Sequence, residues 1–475
     1  MLSNNVIALL LILLLQGCLF ASSQLPASDT FELEKYKGNW RSLGYGYLLT
    51  IENDGLTLYD ISSAGCVKKP VSSQELASTL THFTQLNPST IEISMIEGAT
   101  TYTFKRLSTN ASSKLPDNLL NLCHGVQNHS PVTVFNSFST VMKEHYAFFG
   151  LYGVDWDDIV QKHRRQISDG MSDKALFKTL TSMLDGLNDA HLSLKVDLNG
   201  GLKTYSNGKS SFLRPALDKA FAAQSEYTNG RAFRLNWFKT YKKKIKNGLL
   251  SGQQNDDFDE QIIWGTVGDS GDIGYINILH MRGFSESGLV QDEMKAAKKA
   301  MEKIIGHLKK SRAIIVDVTA NGGGEDEVGR VIAGYFTDRS VLAYSKQAQN
   351  SGVDPQFFQI RPAETNRYLG PVVLVTSDHT VSAAEIFTMS MLALQNVIHV
   401  GETTRGAMSD VLNKTLPNGW ELGLSNETYR DAKGLLWEGK GLGPEKHMPI
   451  FAGNNIYTSH QLAIGRIVEM IQDEE

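Results

Sequence analysis

Ser382 stands where a hydroxyl can be held in the open. It lies in Thr380-Val381-Ser382-Ala383-Ala384-Glu385, shortly after the apolar run Pro371-Val372-Val373-Leu374-Val375. Residues 372–375 read as a buried strand and 382–394 as a helix. A serine between two such elements is either an N-cap or a nucleophile. In the second role, the N–H groups at the helix start face whatever its oxygen attacks. A serine hydroxyl is weak at its own pKa and needs a base within hydrogen-bond reach. His191 follows the polar turn Asn188-Asp189-Ala190 and enters a short alternating strand, where a histidine taken alone reads as structural. His379 is a candidate base, but it lies so close before Ser382 that only a tight turn brings it to the hydroxyl. Gly322-Gly323-Gly324 follows a further strand at 313–318. Glycines leave backbone N–H groups open to approach, so beside a serine on the neighbouring unit they form a candidate oxyanion hole. Either Gly323 or Gly324 supplies one N–H and Ala383 the other. Glu385, one helical turn after Ser382, reads equally as an N3 capping carboxylate and as a group holding the adjacent loop.

These residues need a scaffold. Strands at 273–278, 313–318 and 372–375 alternate with helices at 289–308, 328–336 and from Ser382, which predicts an α/β core with a parallel sheet covered on both faces. Upstream, Phe135, Phe138, Val141 and Met142 recur at helical spacing, and Asp155-Trp156-Asp157-Asp158 starts a further helix, so 131–198 reads as a helical subdomain. Residues 27–107 carry short alternating runs between Asn, Asp and Gly turns. They predict a separate small β domain, a meander or a small barrel, of unassigned role. Gly38-Asn39-Trp40 there resembles the Gly-x-Trp of lipocalin strands. Residues 108–130, rich in Ser, Asn and Pro, read as a linker, 199–270 as a polar insert without assignment, 271–454 as the core and 455–475 as a C-terminal helix.

The 475 residues, 41% apolar against 20% charged, describe a folded chain of two or three domains. A net charge of −5 spread along the chain argues against nucleic acid as the main partner. The basic run Lys242-Lys243-Lys244-Ile245-Lys246 reads as a solvated helix face. The first 26 residues read as a targeting segment, with the signal peptide over 1–22. The apolar stretch 6–15 is too short to span a bilayer. It ends Leu15-Gln16-Gly17-Cys18, which resembles the lipobox of bacterial lipoproteins and implies lipidation of Cys18 and a membrane anchor. The n-region lacks Lys and Arg, and the alternative is an ordinary signal cut near residues 21–23. Both readings export the protein; with an anchor, the expected address is the periplasmic face of the outer membrane or the cell surface. Cys66 and Cys123 then form an even pair in an oxidising compartment, where they are either bridged or two separate buried thiols. No Cys-x-x-Cys or His-Glu-x-x-His pattern supports a metal, and no cofactor is expected.

Residues from about 131 to 450 resemble the tail-specific and tricorn-core serine peptidases, the S41 group. The matching segments include Leu187-Asn188-Asp189-Ala190-His191, Gly271-Asp272-Ile273-Gly274-Tyr275-Ile276, Asp317 with Asn321-Gly322-Gly323-Gly324, and Thr380-Val381-Ser382-Ala383-Ala384-Glu385. Gly401-Glu402-Thr403-Thr404-Arg405-Gly406 and Trp437-Glu438-Gly439-Lys440-Gly441-Leu442-Gly443-Pro444 follow in the family's order. The resemblance implies a crotonase-like β/α core and a serine peptidase acting on peptide or protein substrates. The C-terminal processing branch has a lysine directly after the Gly-Glu-x-Thr-x-Gly segment; here that position is Ala407, and Lys414 lies further on. No PDZ-type carboxylate-binding loop is visible in 199–270. The resemblance is therefore to the histidine-type branch, which places His191 as the base and Glu438 as the glutamate of the tetrad. Two rival readings share the core: a ligand- or peptide-binding protein without hydrolysis, and an esterase or amidase using the same oxyanion chemistry.

Overall fold

A computed structural model describes residues 34–107, 119, 123, 128–198, 200–208, 211–253, 261–451 and 456–473. Cys18 and the expected signal peptide fall outside the described residues. The chain divides into two compact units: residues 1–208 with 346–356 and 409–428, and residues 209–345 with 357–408 and 429–475.

The first unit contains an antiparallel sheet in the spatial order Gly65–Lys68, Gly55–Ser62, Tyr47–Glu52, Gly38–Ser42, Tyr102–Arg106, Thr90–Ser94, His82–Asn87. Its two outermost strands do not pair with each other, so it is an open sheet rather than a barrel. The expected separate domain at 27–107 is part of a larger unit, and a buried ion cluster shows why. The Asp60 carboxylate, on strand Gly55–Ser62, accepts from Lys69 Nζ at 2.9 Å, Lys414 Nζ at 3.1 Å and the Thr415 N–H at 2.9 Å. Burial alone would push the Asp60 carboxyl up, but the two ammonium groups and the N–H outweigh it and hold it below its ordinary value. Breaking such a buried pair leaves an uncompensated charge, so segment 409–428 is fixed to the sheet. That segment also forms the hairpin Val411–Thr415 and Glu421–Ser425; Glu421–Ser425 pairs with Ser193–Leu198, whose other edge takes Gly201–Ser206. Helices Pro131–His145, Trp156–Arg164 and Asp173–Met183 complete the unit. Each starts at a capping side chain: Ser130, Asp155 or Ser172.

Cys66 and Cys123 are joined by a disulfide with Cα atoms 5.0 Å apart. The bridge lies in a small apolar cluster with Leu48, Tyr59, Ile61 and Leu119, so the segment read as a linker is anchored at residues 119 and 123. It closes a separation of 57 residues, which in the chain-entropy model contributes on the order of 4 kcal/mol. Reduction is expected to lower the melting temperature of the first unit by several degrees. A melting curve unchanged by reductant would show that the bridge constrains nothing.

His145 gives the same unit an acid limit. Its Nδ1 lies 3.1 Å from the Gly44 carbonyl. Burial, then the neighbouring Lys414 charge, push its pKa down to about 3. Glu144 is 3.9 Å away but partly solvated, and does not offset them. The unfolded chain binds a proton near pH 6.5 that the folded chain refuses until about pH 3. Stability is therefore full above pH 6.5 and falls by about 1.4 kcal/mol per pH unit below it. His145→Gln should flatten the dependence of melting temperature on pH between 6.5 and 4.5; an unchanged slope would refute neutral burial.

The second unit is built on a seven-stranded sheet in the order Gly252–Gln253, Ile262–Val267, Ile273–Ile278, Ala313–Asp317, Val372–Thr376, Val397–Gly401, Lys446–His447. Pairing is parallel from Ile273–Ile278 onward and antiparallel before it, so the sheet is mixed rather than wholly parallel. The reason is local: only a short turn separates Val267 from Ile273, and a parallel pair needs a long crossover. Ile262–Val267 and helices Leu213–Ala222 and Gly230–Gly248 occupy the stretch the sequence left unassigned. Alternate strand residues face opposite sides. Ile276, Ile314, Val316, Val372 and Leu374 pack with helices Val290–Leu308, Asp326–Ala333 and Ala383–Met391. Tyr275, Ile315, Val373 and Val375 pack with the Leu213–Ala222, Gly230–Gly248 and Ser459–Asp473 helices. Among the described residues, no helix is long and apolar enough to cross a membrane.

Candidate active site

The strands Ala313–Asp317 and Val372–Thr376 are adjacent and parallel, so the turns leaving their carboxyl ends meet. The first turn is held by Asn321, whose Nδ2 donates to the Ile278 carbonyl at 3.0 Å and whose Oδ1 accepts the Gly323 N–H at 2.8 Å. The second is held by Thr380, whose hydroxyl donates to the Val318 carbonyl at 2.9 Å. Gly323 has φ 96°, and a Cβ there would lie 2.8 Å from the Ser382 Cβ. Only glycine lets this backbone pass so close to the serine.

Ser382 itself has φ 62° and ψ −133°, at the N-terminus of helix Ala383–Met391. A non-glycine residue in this region costs of order 1–3 kcal/mol and persists only where its surroundings enforce it. Two acceptors do so: the Ser382 N–H meets the Ala407 carbonyl at 3.0 Å and Glu385 Oε2 at 3.3 Å. Glu385 is wholly buried. Its carboxylate also accepts from the Thr404 hydroxyl at 2.5 Å, the Gly406 N–H at 2.6 Å and the Ala407 N–H at 2.8 Å. Burial raises its pKa, and these donors oppose the rise. Glu385 thus acts both as the helix cap and as the clamp that fixes loop 404–407 to the serine. Thr404 and Asn321 complete this support; both stand in the quoted motifs, but their partners are set only by the fold.

The Ala383 and Gly324 N–H groups donate to no described residue. Gly323 is different, because Asn321 engages its N–H. The Gly324 backbone is pinned by the bridge to Met281: Met281 N–H donates to the Gly323 carbonyl at 2.9 Å, and Glu325 N–H to the Met281 carbonyl at 3.0 Å. Glu438 is buried in the same unit and accepts the Met408 N–H at 2.9 Å. With the Gly439 N–H on the Gly406 carbonyl at 2.8 Å, it fastens loop 404–408 to the 437–442 turn.

His379 belongs to this unit too. Its Nδ1 is 3.3 Å from Ser211 Oγ and its N–H donates to Ser377 Oγ at 2.9 Å. Burial, reinforced by Arg405, His280 and Arg214, pushes its pKa down to about 3. A ring so weakly basic is a poor proton acceptor at neutral pH. His191 lies in the first unit. Asp189, itself buried, accepts the His191 backbone N–H at 2.8 Å through Oδ1 and the Tyr146 hydroxyl at 3.0 Å through Oδ2. Asp189 therefore fixes the turn that carries His191. Lys414, also in the first unit, donates to the Gly46 carbonyl at 2.7 Å as well as to Asp60.

Residues 272–448 match the model of peptidase family S41. They form a peptidase family S41 domain. The domain holds Ser382, both glycines, Ala383 and Glu438, while His191 lies before it. The carboxy-terminal processing protease CtpA of Bacillus subtilis is 26% identical over 171 residues, which are 36% of this chain and 34% of that protein. The match thus spans about a third of the relative's length. Among solved structures, a candidate peptidase from Parabacteroides merdae aligns with TM-score 0.56 and 22% identity, covering 72% of this chain and 97% of its own. Mature CPAF complexed with lactacystin aligns with TM-score 0.51 and 14% identity, covering 73% and 99%. These similarities show a shared mixed α/β fold around the S41 domain.

Proposed function

We propose that this protein is an exported serine endopeptidase in which Ser382 attacks the peptide carbonyl and His191 accepts its proton. The observation that carries the reading is Ser382 itself, strained at a helix N-terminus, with the Ala383 and Gly324 N–H groups meeting no acceptor among the described residues, within an S41 domain. Attack turns the carbonyl oxygen into an oxyanion, which the Gly324 and Ala383 N–H groups receive. Gly324 takes this role rather than Gly323, whose N–H already serves Asn321. His191 then returns the proton to the leaving amine, and water repeats the sequence on the acyl-enzyme. Glu438 acts through the backbone, fastening loop 404–408, which Glu385 clamps to the serine, to the 437–442 turn. The histidine assignment is supported by the alternatives. Ala407 replaces the lysine of the C-terminal processing branch, Lys414 is bound up with Asp60, and His379 is too weakly basic. A fluorophosphonate probe should label wild-type protein and not Ser382→Ala. Equal labelling of both would refute the nucleophile.

Export through a lipidated Cys18 is part of the same proposal. It is supported by the apolar run before Leu15-Gln16-Gly17-Cys18 and by the disulfide, which persists in oxidising compartments. Cys18→Ser should move the protein to the soluble fraction. Wild-type protein already soluble, with an N-terminus after residue 21, would replace the anchor by an ordinary secretory signal.

A further inference from the structure

Helix Gly230–Gly248 carries seven basic side chains and no acidic one in its 19 residues. Its inner face, Phe233, Trp237, Tyr241 and Ile245, is buried against one side of the second unit's sheet. On its outer face Arg231, Leu235, Lys239 and Lys243 follow at four-residue steps, and all four are exposed. Residues four apart share a helix face, so these form one stripe. Arg231, Lys239 and Lys243 make no side-chain ion pair or hydrogen bond among the described residues. Lys242 and Lys246 have contacts of their own and are not counted in the stripe. Arg234 is also apart from it, paired with Asp218 at 3.0 Å. Leu235 is 55% exposed between two of the cations. Helix Ser459–Asp473 packs alongside, with Gln461 Nε2 donating to the Lys244 carbonyl at 2.9 Å. It exposes Leu462 and, four residues on, Arg466, before Glu469 and Asp473 at its far end. The stripe costs the helix locally. Lys239 and Lys243 repel at this spacing, and Arg231 sits in the first turn, where the helix dipole is positive. Helix Val290–Leu308, on the opposite side of the sheet, shows the ordinary arrangement: Lys295 pairs with Asp292 at 3.5 Å and Lys298 with Glu364 at 3.1 Å.

We propose that the outer face of helix Gly230–Gly248 docks on an anionic phospholipid surface, with Arg231, Lys239 and Lys243 on the headgroup phosphates and Leu235 at the headgroup–acyl boundary. Each cation near such a surface is attracted to it, and a leucine set among the cations adds apolar burial. A helix of 19 residues is about 28 Å long, so the stripe matches a charge spread over a surface rather than one small ligand. An acidic polypeptide would satisfy the cations but give Leu235 and Leu462 no apolar layer to enter. The inference depends neither on the peptidase reading nor on a lipid at Cys18.

The test uses the full chain with Cys18→Ser, so that no lipid anchor contributes. It is sedimented with vesicles of phosphatidylcholine alone, and with vesicles in which phosphatidylglycerol replaces about one-third of that lipid. Binding should require phosphatidylglycerol and weaken by about tenfold or more as salt rises from low to physiological strength. Arg231→Gln, Lys239→Gln and Lys243→Gln together should weaken it by about a hundredfold. Leu235→Asn alone should weaken it several-fold. Lys295→Gln, Lys299→Gln and Lys303→Gln together make the same change in net charge on the opposite side of the sheet, and should leave binding unchanged. Equal losses in the two triple variants would overturn the docking face. So would equal binding to both kinds of vesicle, or to neither. Binding of polyglutamate without binding of vesicles would overturn it in favour of an acidic polypeptide. A second measurement serves if the triple variant fails to fold. With Cys66 and Cys123 bridged, Leu235→Cys carries the one reactive thiol of this chain. A polarity-sensitive dye there should shift to the blue on anionic vesicles. The same dye on Leu369→Cys should not shift; Leu369 is exposed on the segment that Asn366 ties to Glu302 of helix Val290–Leu308. No shift at position 235, or equal shifts at both positions, would overturn the proposal.

Discussion

Ser382→Ala and Ser382→Gly are both expected to lose peptide hydrolysis by roughly 10⁴-fold or more, the loss typical of a serine nucleophile. They should part company in stability. Ser382 holds φ 62°, a conformation that alanine shares at a cost and glycine adopts freely. Ser382→Gly should therefore melt above Ser382→Ala, by about 1 kcal/mol in stability, while remaining equally inactive. The contrast separates the nucleophile's chemistry from its strain. Undiminished turnover in either variant would remove Ser382 from the mechanism. Equal melting temperatures would show that the serine turn stores no strain, leaving the role of the hydroxyl to be judged by the rates alone.

His191→Ala should cost about as much rate as Ser382→Ala, because a nucleophile and its base act as a unit and their losses do not add. The double variant is expected to be no slower than either single one. Lys414→Ala gives the opposing signature. Its ammonium is buried against Asp60 and the Gly46 carbonyl, so its removal should lower the melting temperature while turnover per folded molecule stays near wild type. The Asp60 carboxylate keeps Lys69, which limits the damage. An inactive but fully stable Lys414→Ala, beside an active His191→Ala, would return the mechanism to a lysine base.

Much of the second unit was legible because its strands are buried on both faces. Runs such as Val372-Val373-Leu374-Val375 then read as continuous apolar stretches with clear ends. Helix Val290–Leu308 was equally plain, since its Ala297, Ala300, Met301, Ile304 and Ile305 keep a helical period. The stretch 199–270 was opaque for the opposite reason. Helix Gly230–Gly248 buries only Phe233, Trp237, Tyr241 and Ile245 among many lysines, a stripe too thin to stand out. The membership of residues 409–428 in the first unit could not be read at all, because it depends on Asp60 meeting residues more than three hundred positions away.

By itself, the sequence determined the element types of the S41 domain, the glycines and serine at its turns, and the absence of a lysine at Ala407, because these follow from local pattern and residue identity. Only the tertiary structure decided which N–H groups meet no acceptor among the described residues, Gly324 rather than Gly323, and that Glu385 clamps loop 404–407. The physical reason is that a hydrogen-bonding group is committed by whatever the fold brings within about 3 Å of it, and periodicity along the chain carries no record of those neighbours.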